Sequence, residues 1–252
     1  MARIISIVSG KGGVGKTVTT ANLGVALAEL GHPVTVVDCN LTTPNLGMHL
    51  GVPVLPKTLH DVLKGRARLS DVMYQHEFGL KVIPAGLSVN DLKGIDARDL
   101  PNILSELFVT DDLVLIDGAA GLGREALATL QSSDEMLIVT NPELPAVLDA
   151  LKLEKLAEEL GAKLYGVVLN RVSGKPHELT DREVEETLEL PIIGKIPEDP
   201  NVKKAVAKRI PVVKYNSYAP ASIAFKRLAA ELIGARIEVD IPWWRKVFSF
   251  LR

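Results

Sequence analysis

The sequence predicts an α/β fold, a doubly wound and mostly parallel sheet with helices on both faces. Two observations carry that expectation: short apolar runs alternate with stretches of 3.6-residue periodicity, and Gly or Pro stands at the joints. The runs lie at 4–8 (IISIV), 34–38 (VTVVD), 80–85 (LKVIPA), 113–118 (LVLIDG), 136–141 (MLIVTN) and 164–170 (LYGVVLN). Each reads as a strand buried on both sides, as parallel strands are. Helical periodicity covers 17–30, 100–108, 145–160 and 223–233, with Gly31, Pro84, Gly161, Pro191, Pro197 and Pro211 at joints. No internal repeat and no linker-like shift in composition interrupts the pattern. One domain is therefore expected over 1–234, followed by a tail over 235–252.

Composition narrows the function. At 252 residues, with 47% hydrophobic and 24% charged, the chain can bury a large core, which excludes wholesale disorder and a disulfide scaffold. Lys and Arg (29) nearly balance Asp and Glu (31), a formal charge of -2, so no global positive field gathers nucleic acid. The single cysteine, Cys39, can build neither an internal disulfide nor a multi-cysteine metal or Fe–S site, and it reads as a small packing residue. The five histidines lack metal-ligand spacing. The run at 4–8 is too short for a leader and no run approaches a bilayer span, so a cytoplasmic location is expected.

The first strand leads into Gly10-Lys11-Gly12-Gly13-Val14-Gly15-Lys16-Thr17, which opens a helix. This satisfies G-x-x-x-x-G-K-[ST] in the strand-loop-helix setting that the motif requires. Glycines let successive N–H groups face a polyphosphate, the helix N-terminus adds positive potential, Lys16 reaches the phosphates and Thr17 ligates Mg²⁺. Val18 follows in the same helix. Lys11 is additional: a second cation beside Lys16 calls for the bound anion, or a facing subunit's nucleotide, to neutralise it.

The stretch 11–17 (KGGVGKT) resembles the deviant Walker A motif of the MinD/ParA ATPases, and the MinD branch within them. The resemblance implies ATP and Mg²⁺ as cofactors, and a sandwich homodimer in which Lys11 reaches the partner's phosphates. It runs nearly the whole length. The segment 36–47 (VVDCNLTTPNLG) looks like the family's first switch, with Asp38 in the magnesium shell. The family's water-positioning acid is replaced by Asn40, an amide that orients water but takes no proton, which implies slow hydrolysis. The segment 113–121 (LVLIDGAAG) is similar to the second metal motif, with Asp117 at the metal and Ala119 in place of a proline. The segment 139–143 (VTNPE) resembles another family signature. The segment 167–172 (VVLNRV) is similar to the strand whose asparagine reads the base, here Asn170, with Arg171 beside it. An amide can pair with an adenine edge at two points. The segment 195–200 (KIPEDP) matches the loop over the purine, implicating Pro197 and Asp199.

The tail changes character. Trp243, Trp244, Val247, Phe248, Phe250 and Leu251 fall on one face of a helix begun by Pro242, while Arg245, Lys246, Ser249 and Arg252 fall on the other. Aromatics opposite cations describe a helix lying on an anionic membrane surface, and the family's MinD branch carries one in this position. A terminal helix packed on its own domain has the same amphipathic pattern. The expectation is an ATP-dependent, dimerising switch, peripheral on the inner face of the membrane, serving cell division or the positioning of another machine through an unidentified activating or cargo protein. The alternatives are a ParA-like ATPase partitioning DNA and a nucleotide-gated scaffold with very slow hydrolysis; Lys203, Lys204, Lys208 and Arg209 read as a solvated helix end, with a DNA-contact patch as the alternative.

Overall fold

In the computed structural model, which describes residues 2–109 and 113–235, eight strands form one sheet. They are β1 (Arg3–Ser9), β2 (Val34–Asp38), β3 (Tyr74–Gln75), β4 (Lys81–Ile83), β5 (Leu113–Ala120), β6 (Glu135–Thr140), β7 (Lys163–Val172) and β8 (Ile192–Pro197). Their order is β3-β4-β2-β5-β1-β6-β7-β8, and only the β3–β4 pair is antiparallel. All six apolar runs become strands, although the run at 80–85 contributes only β4, because Pro84 has no N–H for the ladder. The two unexpected strands are the sheet's edges. β3 is two residues long, and β8 carries Gly194 and Lys195 between Pro191 and Pro197, a composition that hides an edge strand.

Alternation along each strand divides the core. Ile5, Ile7, Val36, Leu115, Leu137, Val139 and Val168 point to one face, into a cluster with Leu23, Leu27, Phe225 and Leu228. Ile4, Val37, Val114 and Ile116 point to the other, against Leu59, Leu100 and Leu104, and Met136, Ile138, Val167 and Leu169 meet Val147 and Leu153 there. This period of two, with both faces buried, is why these strands read as unbroken apolar runs.

Ten helices cover the faces: α1 (Lys16–Glu29), α2 (Leu46–Leu50), α3 (Leu59–Leu63), α4 (Leu100–Leu104), α5 (Arg124–Gln131), α6 (Leu144–Glu159), α7 (Asp181–Leu188), α8 (Pro200–Ala207), α9 (Val212–Tyr215) and α10 (Pro220–Leu232) among the described residues. The expected helices at 17–30, 145–160 and 223–233 are α1, α6 and α10. The stretch 100–108 is α4 followed by a 3₁₀ turn, Ser105–Val109, so it is not one α-helix. The other six helices have at most eight residues, too few turns to show periodicity.

The parallel strands end on one rim of the sheet. There β1 lies between β5 and β6, so the chain winds outward in both directions from it, and the crevice at such a switch point is where ligands bind. At the opposite rim the Arg3 guanidinium donates to the Leu232 carbonyl and pairs with Glu135, fastening the end of α10 to the start of β1. The expected membrane helix, with Trp243, Trp244, Arg245, Lys246, Val247, Phe248, Phe250 and Leu251, lies outside the described residues. No described helix is long and apolar enough to cross a membrane.

Candidate nucleotide site

A cavity of about 860 Å³ opens at the switch point. The loop between β1 and α1 forms its floor. Gly13 and Gly15 have φ of +83° and +99°, values that L side chains rarely adopt, so glycine is required at both. A Cβ on Gly15 would also stand 2.1 Å from Asn170 Nδ2. Gly10 has a different reason: its Cβ would strike the Asp149 carbonyl oxygen, so it packs the loop onto α6. Val14 is buried beneath the loop. α1 starts at Gly15 without a capping side chain and with no acid in its first turn, which leaves its N–H groups and dipole turned to the cavity.

Gly12, Gly13, Gly15, Lys16, Thr17, Val18, Asn40, Asn170, Arg171, Pro197 and Asp199 all line the cavity. The structure thus gathers residues from four strand ends, those of β1, β2, β7 and β8, far apart in sequence. Gly10, Lys11, Val14, Asp38 and Asp117 do not line it.

The two lysines of the loop differ. Lys16 is 6% exposed, and its Nζ lies 2.7 Å from Asp117 Oδ1. Lys11 is exposed and makes no ion pair or hydrogen bond among the described residues. Thr17 donates its hydroxyl to Asp117 Oδ2 at 2.7 Å, and Thr20 approaches Oδ1 at 3.3 Å. β2 and β5 pair with Asp38 opposite Asp117, so two fully buried carboxylates stand side by side. Burial, reinforced by the Asp117 charge, pushes Asp38 up to about 7, against the N–H groups of Leu46 and Asn40 that favour its ionised form. Two carboxylates facing one lysine suit a divalent cation, and Ser9 Oγ, buried and without a partner among the described residues, also lines the cavity. The glycine cradle, the bare helix start and this donor set fit a magnesium nucleotide.

Several side chains are also occupied in building the walls. Asp38 accepts from the N–H groups of Asn40 (3.2 Å), Asn45 (3.0 Å) and Leu46 (2.9 Å), holding the loop after β2. Asn40 is folded back: its Nδ2 donates to the Thr43 carbonyl at 2.8 Å, and its Oδ1 accepts from Thr43 N and Oγ1. Asn170 Nδ2 donates to the Val14 carbonyl at 2.7 Å, which fixes this amide to the phosphate loop. Arg171 has φ of +58°, at a register shift between β7 and β8 that leaves it exposed beside the cavity. Lys195, Ile196 and Pro197 complete β8 rather than belonging to a loop, and the Asp199 carboxylate caps α8 through Asn201 N (2.8 Å) and accepts from Ala221 N. Cys39 is buried in the core, where burial and the neighbouring carboxylates push its thiol well above the usual range.

Sequence reasoning missed Arg124 and Glu125, which line the cavity from the first turn of α5. Glu125 Oε2 accepts from Thr42 N at 3.3 Å, and Oε1 accepts from the Thr42 hydroxyl. Their signal was an acid in the helix turn that follows the Asp117 strand.

Comparison with known proteins agrees with this geometry. Residues 5–212 match the family model described as the CobQ/CobB/MinD/ParA nucleotide binding domain. An uncharacterized ATP-binding protein of Methanocaldococcus jannaschii is 40% identical over 251 residues, covering 100% of this chain and 94% of its own. The septum site-determining protein MinD of Pyrococcus horikoshii OT3, solved complexed with Mg-ADP, superposes with a TM-score of 0.90 at 38% identity, covering 94% of this chain and 100% of that one. MinD cell division protein from Aquifex aeolicus, solved in a MinC:MinD complex, gives a TM-score of 0.83 at 31% identity, covering 95% and 99%. A shared phosphate loop at a shared switch point, carried through almost the full length, means that this chain belongs to the CobQ/CobB/MinD/ParA nucleotide-binding family and within it resembles MinD.

Proposed function

We propose that this chain is an ATP-driven spatial switch: ATP and Mg²⁺ close a sandwich homodimer of the ATPase domain (1–234), the tail (235–252) then holds an anionic membrane, and hydrolysis releases it. The observation that carries this reading is Lys11. A lysine placed in a phosphate loop, exposed and outside the lining of its own cavity, has no anionic partner among the described residues. A second copy facing it would supply one. Lys16 and the α1 N-terminus would hold the phosphates, Thr17, Asp38 and Asp117 the hydrated magnesium ion, and Asn170, Arg171, Pro197 and Asp199 the purine end. Bound there, the magnesium ion neutralises charge that develops on the phosphates. Asn40, folded onto Thr43, supports slow turnover. The MinC:MinD complex of the Aquifex relative supports a protein partner. A membrane surface is a better second partner than DNA, because Lys203 of the basic cluster is paired with Glu198.

The test is Lys11→Ala. Mg-ATP binding should persist within about threefold, while the ATP-induced doubling of mass in light scattering disappears. A variant that still dimerises with ATP overturns the cross-subunit role.

A further inference from the structure

We infer that Glu125 is the carboxylate that holds the attacking water, in place of the acid missing at Asn40. This rests on reading the chain as an ATP hydrolase. Three carboxylates line the cavity among the described residues: Glu125, Glu198 and Asp199. Glu198 is paired with Lys203 at 3.0 Å, and Asp199 caps α8, both at the purine end. Glu125 alone is held by the loop after β2, where Thr42 and Asn40 also line the wall.

Its setting is that of an oriented base. Each of its oxygens accepts one hydrogen bond from Thr42, which fixes the plane of the carboxylate and leaves a second lone pair on each oxygen for water. Asn40 has no comparable freedom, because both atoms of its amide are tied to Thr43. An amide in that turn could not take a proton even if released. In the step inferred, the water oxygen bonds to the γ-phosphorus as the bond from that phosphorus to the ADP oxygen breaks. The water's proton passes to Glu125 and returns to the inorganic phosphate product. Water and ATP are the only reactants, and no electron is transferred. Arg124, exposed in the same turn, adds a cation beside the developing charge.

Glu125→Gln keeps size and removes the base. Single-turnover hydrolysis should fall at least ~100-fold, the scale of a lost general base. The variant should also favour Mg-ATP over Mg-ADP roughly fivefold more than the native chain in equilibrium binding, because a carboxylate facing the γ-phosphate repels it. Adding Asn40→Asp to Glu125→Gln should restore at least tenfold of the rate. Thr42→Val, which removes only the orienting hydroxyl, should lose less than tenfold. An unchanged rate in Glu125→Gln, or equal weakening of ATP and ADP, overturns the assignment. A loss in Thr42→Val as deep as in Glu125→Gln would assign Glu125 to loop support alone. Absence of hydrolysis by the native chain would overturn both this inference and the function on which it rests.

Discussion

Lys16 and Lys11 stand five positions apart on one loop in opposite surroundings, one buried against Asp117 and the other free in solvent. Lys16 was legible because a phosphate loop demands its residue types at fixed spacing, as were Asp38 and Asp117 at strand ends, whereas Lys11 was legible only through the family resemblance. What spacing could not give is how side chains engage one another. Glu125 meets Thr42 across 83 positions, and an isolated acid in a helix turn carries no sign of that contact. The sequence expects Asn170 to read the base, and its bond to Val14 gives it a further duty that no spacing shows, bracing the loop. Gly15→Ala should expose it. The new methyl needs the space of Asn170 Nδ2 and a φ that alanine disfavours, so Mg-ATP affinity is expected to fall more than tenfold in competition binding. Asn170→Ala should likewise weaken ATP, and should bring ATP and GTP affinities within about threefold of each other. A retained preference for ATP would move base reading elsewhere.

Among the elements, α1 joins the phosphate loop to the core, and its middle is packed too tightly for a side chain at Gly24. A Cβ there would stand 2.6 Å from Val36 Cγ1 and 3.2 Å from Leu80 Cδ1. Alanine gains about 1 kcal/mol in helix propensity over glycine. Overpacking against a stiff, β-branched valine costs about 1–3 kcal/mol, so Gly24→Ala is expected to lower the urea midpoint. At its far end, Glu29 contacts Lys214 (2.8 Å) and Lys226 (3.1 Å). Burial raises the Glu29 carboxyl, but the two lysines outweigh it and hold the group below its usual 4.5. A lowered folded pKa means stability that is present above pH 4.5 and lost as pH falls through the folded value. Glu29→Gln should therefore cost of the order of 1 kcal/mol at pH 7 and progressively less as the pH falls below 4.5, read from denaturation midpoints at each pH. Central strands were legible because both their faces are buried, whereas β3 and β8 lack that signal at the edges. α7 was legible in principle: Thr180 and Glu183 form a reciprocal capping box, a start signal that periodicity alone overlooks.

For the whole molecule, the proposed membrane response depends on how many tails are presented. Three cations contribute about 1 kcal/mol each at an anionic surface, and partial insertion of the aromatic face adds a few more. Ordering about a dozen residues opposes this at ~1–2 kcal/mol each, so one tail binds weakly. Two tails on a dimer gain ~10²–10⁴-fold in avidity with no new contact. Deleting 241–252 should abolish co-sedimentation with anionic liposomes while leaving ATP binding and dimerisation intact. Equal sedimentation in ADP and in a non-hydrolysable ATP analogue would remove the gating. The clasp from Arg3 to the Leu232 carbonyl bears on how such gating operates. β1 is seven residues long, about 23 Å, and the clasp stands at the end away from the phosphate loop. Within one subunit, then, the phosphate loop and the end of α10 lie at opposite rims of the sheet, and in the proposed switch the message between them would be a head count. A chain saturated with ATP but barred from pairing should stay as indifferent to lipid as an empty one, and an artificial cross-link between two empty chains should bring them to the surface without nucleotide.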